Sequence, residues 1–120
     1  NKENIMSPTL KKYGLLAITA LLTLAFGAAG LAKLAGAEMM VATFGAIGWG
    51  QWFRYLTGAI EVGSAVLLWV PGMQWIGAAL LVCAMIAAVL FHLLLLGPSF
   101  VPALVLGVLS AVVLVARRPA

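Results

Sequence analysis

Four residues within otherwise apolar stretches of the chain have side chains that could do chemistry: Lys33, Arg54, Glu61 and His92. A carboxylate can accept a hydrogen bond or a proton, an imidazole can donate or accept, and the two cations can hold a polar head group. Around Glu61 the spacing is informative. Arg54, Thr57, Gly58, Glu61, Ser64 and Ala65 recur at intervals of three, four and seven, so a helix carries them as one small and polar stripe. Such a stripe is expected to face protein. Two further stripes complement it, one of Ala25, Ala29, Gly30 and Lys33, the other of Gly77, Leu81, Ala84, Met85, Ala88 and His92. Small residues on facing helices permit close approach where no hydrophobic force drives association.

The elements that must position these groups follow from composition. Hydrophobic residues make up 65% of the 120 and charged residues 8%, with a mean hydropathy of +1.18. A soluble domain of this length has too little interior to hide that much apolar surface, so the solvent is read as lipid. A hydrocarbon layer of about 30 Å needs roughly 20 apolar residues per helical span. Four segments qualify: Tyr13 to Leu34, Gln51 to Val70, Gln74 to Leu96 and Phe100 to Ala116. Backbone groups in lipid must pair within the segment, and no barrel-like alternation is present. The Val70-Pro71-Gly72-Met73 turn and the Gly97-Pro98-Ser99 break make consecutive spans antiparallel neighbours. Between the first two spans, Glu38, Met40, Val41, Phe44 and Ile47 form a short amphipathic helix expected at the interface. The predicted fold is therefore an all-α integral membrane four-helix antiparallel bundle with one interfacial helix between helices 1 and 2.

Of the 7 Lys and Arg residues, Lys2, Lys11, Lys12, Arg117 and Arg118 sit at the two ends, which places both termini in the cytoplasm. Trp49 and Trp52 then mark the outer boundary and Trp69 and Trp75 the inner one. Residues 1–12 form a cytoplasmic segment, 13–116 a single transmembrane domain, and 117–120 a cytoplasmic tail. Met6-Ser7-Pro8 reads as a native start, with residues 1–5 foreign to it, and the first span reads as retained rather than cleaved. The net charge of +4 reports topology and contact with anionic lipid; nucleic-acid binding would need cations grouped on a soluble face.

Several chemistries are excluded. Cys83 is the sole cysteine, so a thiol pair within the chain is ruled out, and it reads as a packing residue. One histidine without a thiolate or second imidazole is no metal ligand set. The sequence has neither a phosphate loop nor a nucleophile elbow, and no catalytic residue is assigned. What remains is depth. Glu61 lies ten residues past Gln51, roughly 15 Å inward and near the midplane, below Lys33, Arg54 and His92. A charge there costs at least about 2.5–3.5 kcal/mol unless it is paired or hydrated. Two readings stay open: an ion network with Lys33, Arg54, Thr57 or Ser64 that holds the helices in register, or an outer-half cavity with a basic rim and an acidic floor. Direct contact between Lys33 and Glu61 would require the first helix to extend past Leu34 or tilt strongly. The fourth span, without an ionisable group, reads as scaffold.

Phe26-Gly27, then Gly30-Leu31-Ala32-Lys33-Leu34-Ala35-Gly36, then Phe44-Gly45 with Gly48, Leu56-Thr57-Gly58-Ala59-Ile60-Glu61, and Gly77-Ala78-Ala79-Leu80 with Met85, Ala88 and His92 together resemble the DoxX family of small four-helix membrane proteins. The resemblance runs from Tyr13 to Gly97. It implies Lys33 and Glu61 as the recurring polar positions, a bacterial cytoplasmic membrane location, and an association with quinone-linked sulfur oxidation or membrane oxidoreductase complexes. Distant eukaryotic relatives include receptor-assembly chaperones and surfeit-locus cargo receptors, and fold alone does not choose among these roles. The leading expectation is a non-catalytic accessory or binding protein. Its cavity, lined by Lys33, Arg54, Thr57, Glu61, Ser64 and His92, would hold a quinone or lipid-like molecule, with an oxidoreductase as the expected partner. Any enzymatic role would need a quinone or a partner subunit. The alternatives are an assembly factor holding a client membrane protein and a small proton-coupled transporter, the latter disfavoured by a basic rim.

Overall fold

A computed structural model describes residues 7–97 and 99–119. The expectations for residues 1–5 and Lys2 lie outside these, as does Pro98 of the expected Gly-Pro-Ser break. Among the described residues the fold is all-α. Helix α1 spans Pro8–Ala35, α2 Glu38–Ile47, α3 Trp52–Leu67, α4 Gln74–Phe91 and α5 Val101–Arg117, and a π-helical turn, His92–Leu96, extends α4.

The termini of α1 follow local rules. The Ser7 hydroxyl accepts from the Leu10 amide at 3.1 Å, Pro8 stands at the first helical position, and Gly36 ends the helix with φ of 76°. That left-handed conformation is cheap only for glycine and lets its amide reach back to the last carbonyls. Helix α2 stops the same way at Gly48. The expected short helix between the first two long segments is thus a real element, running from Glu38 to Ile47 as the apolar spacing suggests.

Helices α1, α3, α4 and α5 form a closed ring in which α1 packs on both α3 and α5, and α4 lies between α3 and α5. Neighbours run antiparallel. Gly30 lies against Gly58, the Trp69 indole donates to the Thr23 hydroxyl at 2.7 Å, and Arg54 reaches past Gly36, so numbers rise along α1 as they fall along α3. A core of Leu22, Phe26, Leu68, Ala78, Leu81, Met85, Ala103 and Val113 fills the space between α1, α4, α5 and the end of α3. Helix α2 lies across one end, touching α1, α3 and the π turn.

Outside, the bundle is apolar: Leu24 on α1, Leu94 beyond α4 and Val115 on α5 are 73%, 75% and 59% exposed. Large contiguous apolar exteriors are foreign to monomeric proteins in water. Pro8–Ala35 and Gln74–Leu96 are long and apolar enough to cross a membrane. Here α3, with 16 residues, falls short of the expected Gln51 to Val70 span, while α5, with 17, keeps the length of the expected Phe100 to Ala116 span, shifted by one residue. At about 1.5 Å per residue these reach only some 24–26 Å. The shortfall in α3 arises where Gly50-Gln51 and Leu68-Trp69-Val70 are spent on turns.

Candidate functional site

The stripe on α3 is buried as its spacing dictates: Arg54, Gly58, Glu61, Ser64 and Ala65 are all removed from the surface. What each polar member does is set by the helix it meets. At the crossing of α1 and α3, a Cβ added to Gly30 would lie 2.7 Å from Val62 Cγ2 and 2.9 Å from the Gly58 carbonyl oxygen; one added to Gly58 would lie 2.9 Å from the Gly30 carbonyl oxygen and 3.0 Å from Lys33 Cβ. Only two glycines permit this backbone approach.

That contact sets the ion pair. Lys33 Cβ lies beside Gly58, and Glu61 is one turn beyond Gly58 on the antiparallel neighbour, so about 4.5 Å along the axis separates the two levels. The four-carbon lysine stem and the glutamate side chain close the gap, bringing Lys33 Nζ to 2.7 Å from Glu61 Oε1 with the side chains 12% and 3% exposed. The pairing needs neither a strong tilt nor a long extension; α1 ends at Ala35, one residue beyond Leu34. Glu61 Oε1 takes no other donor among the described residues. A buried carboxylate so placed depends on a single ammonium for its compensation.

Arg54 is elsewhere. Its Nη1 donates to the Lys33 carbonyl oxygen and its Nε donates to Gln51 Oε1 at 2.8 Å, while Gln51 Nε2 donates to the Val41 carbonyl at 3.1 Å. The Lys33 carbonyl belongs to the last turn of α1, where helical partners run out. Arg54 therefore caps α1 from α3, and Gln51 ties both to α2. The expected basic rim of three cations is corrected accordingly, since Arg54 is 5% exposed and is absent from the cavity wall.

The cavity itself has a volume of about 470 Å³ and lies between α2, α3 and α4 with the end of α1. Lys33, Thr43, Thr57, Glu61 and His92 are its polar lining apart from Cys83, set among Met39, Met40, Phe44, Ile60, Leu80, Met85 and Phe91. Thr43 and Thr57 each donate their hydroxyl to a carbonyl of their own helix, Met39 and Phe53 respectively, at 2.8 Å, keeping oxygen lone pairs free to accept. His92, at the start of the π turn, has a buried Nδ1 without a partner among the described residues. Irregular helical turns of this kind widen the backbone and recur where side chains are put to use.

Two further placements differ from expectation. Ser64 is 1% exposed and sits where α3 crosses α4 beside Gly77; its hydroxyl is buried without a partner among the described residues and does not line the cavity. Cys83, read as a packing residue, is exposed on the cavity wall. The stripe gave no hint of the aromatic group at the α2 end of the cavity, where Phe53 has Phe44, Trp49, Trp52 and Phe91 around it with ring centroids 5.0–5.9 Å away. The density of aromatic residues between positions 44 and 53 is the signal that could have found it.

The profile of the DoxX-like family matches residues 17–116, which include both partners of the ion pair, Arg54 and His92. No curated protein and no solved structure matches the chain.

Proposed function

The chain belongs to the DoxX-like family, and from that premise we propose that this membrane protein is a non-catalytic binding subunit whose cavity holds a quinone or lipid-like amphiphile. In this reading all four long helices cross a bacterial cytoplasmic membrane, the thinner layer around α3 and α5 being met by tilt and local adjustment, and both termini lie in the cytoplasm. The observation that carries it is the cavity: an apolar enclosure of about 470 Å³ with a closed ion pair at one side and, on its wall, an imidazole nitrogen without a partner among the described residues. Pockets that hold small molecules combine apolar walls with a few placed polar groups in this way. Glu61 accepts a hydrogen bond from the head, Lys33 donates one, and the Met and Phe side chains enclose the tail. An oxidoreductase partner would supply any redox chemistry, as the chain's own contribution is to bind and orient.

Mass spectrometry of organic extracts from gently purified protein tests this directly. Glu61→Gln is expected to lose most of a molecule enriched in wild type over detergent and bulk-lipid controls. Equal extracts from the two proteins would remove Glu61 from the site and leave the ion pair a purely structural role.

A further inference from the structure

Resting on the proposed binding site, the charge of its wall defines what the site accepts. Arg54 is committed to the end of α1 and Gln51, which leaves Lys33 and Glu61 as a matched pair at 2.7 Å. The two formal charges cancel. The remaining polar groups, Thr43, Thr57 and His92, offer hydroxyl oxygens and an imidazole nitrogen. The position of the mouth is equally informative. Met39, Leu80 and Cys83 are the exposed residues of the wall, and Leu80 and Cys83 lie in the middle of α4 rather than at its ends. At the α2 end the way is occupied by Phe53 and its ring partners, with Trp49 edge-on to Phe91 at 5.3 Å. The exposed part of the wall therefore runs from Met39 at the start of α2 along the flank of α4, an apolar span, with the aromatic group covering the rest of the α2 end.

We infer that the site selects uncharged amphiphiles, with hydroxyl or carbonyl oxygens on an apolar tail, that enter sideways from the bilayer, and that it discriminates against anionic heads. An uncharged oxygen head accepts from the Lys33 ammonium, which has three donors, and, where it carries a hydroxyl, donates to Glu61, so the pair stays closed. A phosphate head meets the Glu61 carboxylate at short range, and to take Lys33 it must break the pair and leave a buried anion uncompensated. A cationic head meets the mirror-image penalty. Selection thus arises from the neutrality of the pair as much as from the shape of the enclosure.

The test uses the full chain in phosphatidylcholine nanodiscs at pH 8 and three probes: 1-oleoylglycerol, decylubiquinone, and 1-oleoyl-lysophosphatidate, which is the first probe with a phosphate added. Wild type is expected to bind at least one uncharged probe about tenfold or more tighter than the lysophosphatidate, a difference of about 1.4 kcal/mol. Glu61→Gln, which leaves Lys33 alone, is expected to invert the order in favour of the lysophosphatidate, and Lys33→Met combined with Glu61→Gln to restore the uncharged preference. Comparison of the two uncharged probes separates a quinone from a glycerolipid source. Lysophosphatidate binding to wild type as tightly as the better-bound uncharged probe overturns the charge selection while leaving a binding site in place. An order unchanged by Glu61→Gln overturns the role of the pair in selection. Failure of all three probes to bind above empty nanodiscs overturns the binding site itself.

Discussion

Lys33→Met is expected to destabilise the bundle by about 3–5 kcal/mol, the range for removing one partner of a buried ion pair. The loss has little to do with the strength of the pair and much to do with what remains. Glu61, 2% exposed, would keep its carboxylate in a low-dielectric interior with no cation to meet it. Arg54 cannot move in, because its guanidinium already holds the Lys33 carbonyl and Gln51. The reverse change, Glu61→Gln, is expected to cost less, about 1–2 kcal/mol, since an ammonium on a long stem two residues from the end of α1 can swing toward the polar boundary. The double change leaves no buried charge and is expected to recover most of the loss. Equilibrium unfolding in mixed micelles across the four proteins reads the coupling directly. A coupling of about 2 kcal/mol or more is expected; additive effects would show that the two groups do not compensate one another.

Gly58→Leu is expected to cost about 2–3 kcal/mol, in the upper part of the range for overpacking a tight contact. The first added carbon already stands 2.9 Å from the Gly30 carbonyl oxygen and 3.0 Å from Leu34 Cγ and Lys33 Cβ. The Gly30 oxygen is main chain and cannot rotate away, so relief must come from separating α1 and α3, which also draws Lys33 off Glu61. Gly63, on the same helix, is exposed and has nothing within 4 Å of a built Cβ. Gly63→Leu is therefore the control, expected to leave the unfolding equilibrium within about 0.5 kcal/mol of wild type, as for most surface substitutions. Similar losses at Gly58 and Gly63 would mean that the glycine crossing does not set the cost, since leucine favours the helix over glycine at both positions.

The polar stripe of α3 was legible because its period is a local property: side chains three, four and seven apart share a face whatever that face meets. The fate of each member was not. Lys33 and Glu61 appeared separated when depth was counted from the loops, since counting locates Cα atoms and says nothing of how far a lysine stem runs along a neighbouring helix. The register that brings them together is fixed by Gly30 against Gly58, and each glycine alone is only a small residue on a helix face. Arg54 was placed on the rim for the same reason. Its acceptor is a carbonyl 21 positions earlier, and nothing in the stripe reveals that the end of α1 needs a partner. The helix between α1 and α3 could be read from Glu38 and the apolar spacing behind it, whereas the π turn at His92 lies in an unbroken leucine run that carries no local signature. Four apolar segments were plain in the sequence, but the length of α3 depended on how many residues its flanking turns consumed.

The most direct measurement is native mass spectrometry of the protein released from lipid nanodiscs, comparing wild type with Ala87→Phe. Ala87 lines the cavity and carries no charge, so a phenyl ring there fills the enclosure while leaving Lys33, Glu61 and the glycine crossing untouched. Wild type is expected to retain one uncharged amphiphile in stoichiometric amount, and Ala87→Phe to lose it with an unchanged unfolding midpoint. A wild-type protein that emerges without a bound molecule, or an Ala87→Phe protein that retains the same one, would contradict the assignment of this cavity as a binding site.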